Sequence, residues 1–81
     1  MSARVRLPEP LAHLLRSELE TAIYEAALSE EDDLIARRYL IEKVPQVEIA
    51  AELGYERSTI GRRIPAIIQD VVQAAERLNF T

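Results

Sequence analysis

Two arginines and two hydroxyls fall within six residues of one another, at Arg57, Ser58, Thr59 and Arg62. A guanidinium can bind the O6 and N7 of a guanine edge, or two oxygens of a phosphate. Serine and threonine hydroxyls bond phosphate oxygens, helped by the amides of a helix N-terminus. Ile60 and Ile64 are interleaved with these polar groups. On a helix, their spacing turns both isoleucines inward and leaves Ser58 and Arg62 nearly opposite, with Thr59, Gly61 and Pro65 on the flanks. Such a face can bind a polyanion. Catalysis is not expected, because the chain has no cysteine, one histidine with no ligand or base beside it, and no phosphate loop. The same inventory predicts no metal and no cofactor.

A reading face needs a second helix to hold it. Ile49 and Leu53 point to the core from the preceding stretch, and Ala50, being small, lets two helices cross closely. Gly54 supplies the left-handed conformation that ends a helix cheaply, and Tyr55 packs behind the turn. Val44-Pro45 breaks the helix before it, and Pro45 suits a first turn. Gly61 would allow close approach to a groove wall. The expectation is a helix-turn-helix, 45–53 and 57–64, with Ala50, Gly54, Ile60 and Ile64 as its structural positions. Pro65 should kink or end the second helix and confine base contacts to residues 57–62.

The rest of the chain reads as all-α, a single domain of about five helices. Residues 1–8 look like an extended arm, on which Arg4 and Arg6 could reach a minor groove or remain a loose tail. A helix over 9–28 carries Leu11, Leu15, Leu19, Ile23 and Ala26 at helical spacing. Ser29 with Asp32 three residues on resembles a capping box. It starts a helix over 30–43 with Leu34, Ile35, Tyr39 and Leu40 as core. A C-terminal helix over 65–78 continues an apolar row: Ile64, Ile67, Ile68, Val71, Val72, Ala75 and Leu78. Burial at roughly 1.5–3 kcal/mol per large side chain argues that this row is covered, by the domain's own helices or a partner's.

Composition sets the outer limits. Eighty-one residues, 48% hydrophobic and 30% charged, are too apolar for a disordered chain and too mixed for a membrane one. No apolar run approaches the roughly 18 residues that span a bilayer, and the first residues lack a secretory apolar region. A cytoplasmic protein is expected. The net charge of −4, taken alone, opposes binding to DNA. Yet residues 17–33 hold seven acids and no base, and elsewhere ten basic residues face seven acidic ones. That acidic segment reads as a solvated helix face, or else as a docking surface for a basic partner. Arg63 falls toward the side of its helix and should brace the motif by pairing with an acid such as Glu48. Arg37 and Arg38 are expected to face solvent, with backbone phosphate as the alternative. His13 is a helix-surface residue.

From about Leu28 to Leu78 the chain resembles the region-four helix-turn-helix of bacterial sigma factors and the small phage or mobile-element regulators built on it. The residues that carry this are Leu28-Ser29-Glu30-Glu31, Ala36-Arg37-Arg38-Tyr39-Leu40, Glu48 to Gly54, Ser58-Thr59-Ile60 and Arg62-Arg63-Ile64. The resemblance implies binding of double-stranded DNA with the second helix in the major groove, and, in true sigma factors, contact with RNA polymerase. The chain is too short for the other sigma regions, and Pro65 departs from the family's longer recognition helix. The expected function is sequence-specific transcriptional regulation. The alternative is an adaptor that binds RNA polymerase or another protein. The helix 9–28 and 64–78 stripes together offer more apolar surface than one short motif covers, so a homodimer is expected.

Overall fold

The structure, a computed structural model, describes residues 7–81; the arm residues Arg4 and Arg6 lie outside it. The chain is all-helical: α1 (Glu9–Ala12), α2 (Arg16–Glu25), α3 (Glu30–Ala36), a π-helical segment (Arg37–Ile41), α4 (Gln46–Leu53) and α5 (Arg57–Arg77). The described residues hold five α-helices, as expected, but the chain is divided among them differently. No helix among the described residues is long and apolar enough to cross a membrane.

The expected helix over 9–28 is two helices. α1 stops at His13, and Leu15 is extended, with its N–H donated to Glu18 Oε1 at 2.8 Å. The break lets Leu11 settle on α5 while α2 runs its own course against α5 and the π-helical segment. Leu11, Leu19, Ala22 and Ile23 are buried, but Leu15 lies at the break and is 66% exposed. Its place in the apolar stripe is therefore lost.

Ser29 caps α3 as expected, its Oγ accepting the N–H of Asp32 at 3.2 Å. Four acids occupy the first turn, where the helix dipole favours them. The α-helix does not reach Lys43. It widens at Arg37, and the N–H of Glu42 bonds to the Arg37 carbonyl at 3.0 Å. Val44 N–H then bonds back to Arg38 at 2.9 Å across a left-handed Lys43. This wide turn uses the last amide before Pro45, which has none to give. Ile35, Ala36 and Leu40 are buried, whereas Leu34, expected in the core, is 43% exposed and Tyr39 is half-buried.

α4 begins after Pro45 and ends at Gly54, φ +76°. The Tyr55 N–H bonds to the Ala50 carbonyl at 2.9 Å, a Schellman closure.

The largest correction is at Pro65. It neither ends nor restarts a helix: α5 runs unbroken through it for 21 residues, with the proline ring exposed. An internal proline costs about 3 kcal/mol. Beyond it, Ile67, Val71, Ala74 and Ala75 are all buried on one stripe with Ile60 and Ile64. At roughly 1.5–3 kcal/mol for each large side chain, that stripe outweighs the proline. Ile68, Val72 and Leu78 are half-buried beside it. α2, α3 and α4 all pack on α5, so the apolar row is covered within the chain. The surplus apolar surface on which a homodimer was expected is to that extent absent.

Candidate nucleic-acid interface

α4 and α5 are joined by the short turn Gly54-Tyr55-Glu56, and their inner faces are shut. Ile49 and Ile60 are fully buried, Ala50 is 2% exposed and Ile64 3%. Once Ile60 and Ile64 are held there, helical geometry sends the residues between them outward. Arg57, Ser58 and Arg62 are exposed, as expected, while Thr59 is half-buried and less open than the other three. α5 starts without a side-chain cap, although Glu56 precedes it. The amides of Thr59 and Ile60 bond to the Glu56 carbonyl, leaving those of Arg57 and Ser58 facing outward from the helix end.

Pairing separates the arginines sharply. Arg16 lies 3.5 Å from Glu20, and Arg37 bonds Asp33 at 2.6 Å. Arg38 spans Glu42 at 2.8 Å and Glu52 at 3.0 Å, which raises its pKa, chiefly through the Glu42 bond. Arg37 and Arg38 therefore do not simply face solvent; they knit the π-helical segment to α3 and α4. Arg57 and Arg62 have no acidic partner among the described residues. Both guanidiniums keep their full donor capacity for a ligand.

Arg63 is the brace foreseen for it, with different partners. It donates to Glu31 at 2.6 Å and to Asp32, both on α3, rather than to Glu48. Glu48 is only one residue before Ile49 and points out from α4, whereas α3 passes directly under Arg63. The guanidinium also lies 5.7 Å from the Tyr55 ring centroid, and the Tyr55 hydroxyl donates to Glu31 at 2.9 Å. Tyr55 thus works through its hydroxyl and is 39% exposed, rather than packing behind the turn. Bonding to Arg63, then to Tyr55, holds the Glu31 carboxyl below its ordinary pKa, and the Glu31 bond raises that of Arg63. Because two carboxylates, the guanidinium and the hydroxyl converge here, α3, the turn and α5 are tied in one register.

No protein-family model, no curated protein and no solved structure matches this chain.

One contributor was not foreseen. Gln46, the first residue of α4, forms a shallow groove of about 420 Å³ with Arg57, Ser58 and Gly61. A Cβ on Gly61 would sit 3.3 Å from Gln46 Oε1, so the glycine leaves room for the glutamine. The one sequence signal was Gly61 itself, a glycine inside a helix at a cost of up to about 1 kcal/mol against alanine. What it made room for depends on a contact 15 residues away in sequence, which no local pattern reveals.

Proposed function

We propose that this domain binds double-stranded DNA in a sequence-specific manner, as a transcriptional regulator, with the first two turns of α5 in the major groove. The observation that carries this reading is the unpaired, exposed state of Arg57 and Arg62 on a helix whose opposite face is locked by Ile60 and Ile64. Four of the other basic side chains are engaged with acids, and of the described cations without an acidic partner only these two share the outward face of α5's first turns. Arg57 and Arg62 would read bases or bind phosphate, Ser58 would bond phosphate, and half-buried Thr59 would contribute at the margin. In that role the protein works in the cytoplasm, beside RNA polymerase.

The adaptor reading has less to support it. It would use the acidic segment 17–33 or the C-terminal apolar row, yet Glu31 and Asp32 are bound to Arg63 and Asp33 to Arg37, and the row packs on the chain's own helices.

The test is fluorescence anisotropy on random-sequence and selected duplexes over a range of salt. Wild type should bind with salt-sensitive affinity, and Arg57→Ala and Arg62→Ala should each weaken binding by about 1–3 kcal/mol. Salt-independent binding, or wild-type affinity in the double variant, would refute the proposal.

A further inference from the structure

We infer that Glu31 and Asp32 stand in for DNA within the domain, holding Arg63 off the phosphate strand that its flank of α5 would otherwise meet. In this way they restrain sequence-independent binding. The inference rests on the DNA-binding reading above but concerns the acids of α3, which touch no DNA in that reading.

The grip on Arg63 has the form of a phosphate complex. Its Nη1 donates to Glu31 at 2.6 Å and its Nη2 to Asp32. A phosphate offers a guanidinium the same pair of anionic oxygens. Bracing alone does not call for both acids, since one carboxylate can hold one arginine and part-exposed ion pairs add little to stability. The side chains of Glu31, Asp32 and Arg63 are 40%, 30% and 28% exposed. The guanidinium is therefore open to a ligand that comes beside α5.

The position of Arg63 says which ligand that is. It follows Arg62 directly, and successive side chains on a helix point about 100° apart. Arg62 is outward, so Arg63 lies on the flank that meets α3. The major groove is about 12 Å wide, and a helix with its side chains is about 10–12 Å across. With Arg62 toward the bases, the flank of α5 faces a groove wall, and that wall is phosphate. Released from α3, Arg63 would add one contact that carries no sequence information. Glu31 and Asp32 withhold it.

The test is Glu31→Gln/Asp32→Asn, which removes both charges at nearly constant shape. It is read by anisotropy on random and selected duplexes over a range of salt, with thermal melting alongside. Affinity for both duplexes should rise by a similar factor, about three- to tenfold at low salt, and the slope of log affinity against log salt should steepen by about 0.9. A brace and nothing more predicts the opposite sign, with a lower melting temperature and weaker binding. Each single substitution should give a smaller gain, so the sign is readable even where the pair loosens the fold. Adding Arg63→Gln should abolish the gain. Glu25→Gln/Glu76→Gln removes two charges from exposed sites near the C-terminal end of α5 and should give no comparable gain. Unchanged or weaker binding in the Glu31 and Asp32 variants would overturn the inference. So would a gain that survives Arg63→Gln, or one matched by Glu25→Gln/Glu76→Gln. If wild type binds no duplex at low salt, the DNA reading falls and takes this inference with it. If wild type binds and the Glu31 and Asp32 variants gain nothing, this inference falls alone.

Discussion

At the scale of single residues, the turn between α4 and α5 rests on the conformation of Gly54, and the seat of α5 on α3 rests on the charge of Arg63. Gly54 sits at φ +76° with nothing within 4 Å of where a Cβ would be. Its replacement by alanine therefore meets no clash, only the left-handed penalty of about 1–2 kcal/mol, and asparagine should cost less. Urea unfolding of Gly54→Ala and Gly54→Asn checks both the size and the order. Arg63 works through charge. Arg63→Ala frees Glu31 and Asp32 to solvent rather than burying them, so its cost should be modest, about 1 kcal/mol. The more telling readout is pH. Because Glu31 is held below its ordinary value of 4.5, the unfolded chain takes up its proton more readily. Its contribution is complete above pH 4.5 and is lost as the pH falls through the depressed folded value. Carboxyl NMR titration should find Glu31 below 4.5 in wild type and back near it in Arg63→Ala. A Glu31 titration unmoved by the substitution would show that Arg63 is not what holds it.

At the scale of elements, the outcome at Pro65 turns on a comparison of magnitudes. α5 keeps the proline in its interior because the stripe on both sides of it is buried. Pro65→Ala restores one amide donor at an exposed position and removes a ring from the ladder. It should stabilise the fold by about 1–3 kcal/mol, seen as a higher urea midpoint with an unchanged slope. A destabilised Pro65→Ala would mean that the helix path set by the proline is itself needed for packing. The same comparison explains what sequence could and could not reveal. The turn after α4 was legible because Pro45, Gly54 and the Ile49–Leu53 and Ile60–Ile64 spacings are local signals. The outward placing of Arg57, Ser58 and Arg62 followed from them. The break at Leu15 was not legible, since it answers to where α5 lies and not to the leucine spacing. Nor was the π-helical segment, whose extra residue depends on bonds closing around Arg37 and Arg38. The Arg63 partners were hidden for the same reason: Glu31 and Asp32 are 32 and 31 residues away in sequence. Local chemistry located the interface, and tertiary packing decided how it is braced.

At the scale of the whole molecule, a chain of net charge −4 is proposed to bind a polyanion, and the sorting of its charges makes that coherent. Arg16, Arg37, Arg38 and Arg63 are neutralised by neighbours, so the cationic groups left for DNA near the α4–α5 turn are few. About two or three neutralised phosphates give a slope of log affinity against log salt near −2 to −3, at about 0.9 per phosphate. This shallow slope also bears on copy number. The apolar row of α5 is covered by the chain's own helices, so free protein should sediment as a 9.2 kDa monomer even at high micromolar concentration. A second copy would then join only on DNA, at a half-site about one helical turn away, and the slope on a two-site duplex would roughly double. A dimer in the absence of DNA would instead point to Leu15, Tyr24 and Val47, which are 66%, 77% and 56% exposed. In that case Tyr24→Ser should return the protein to a monomer without changing its affinity for a single half-site. Sedimentation and the salt slope therefore have to agree: a monomer with the shallow slope on one half-site, and the steep slope only where two half-sites are offered.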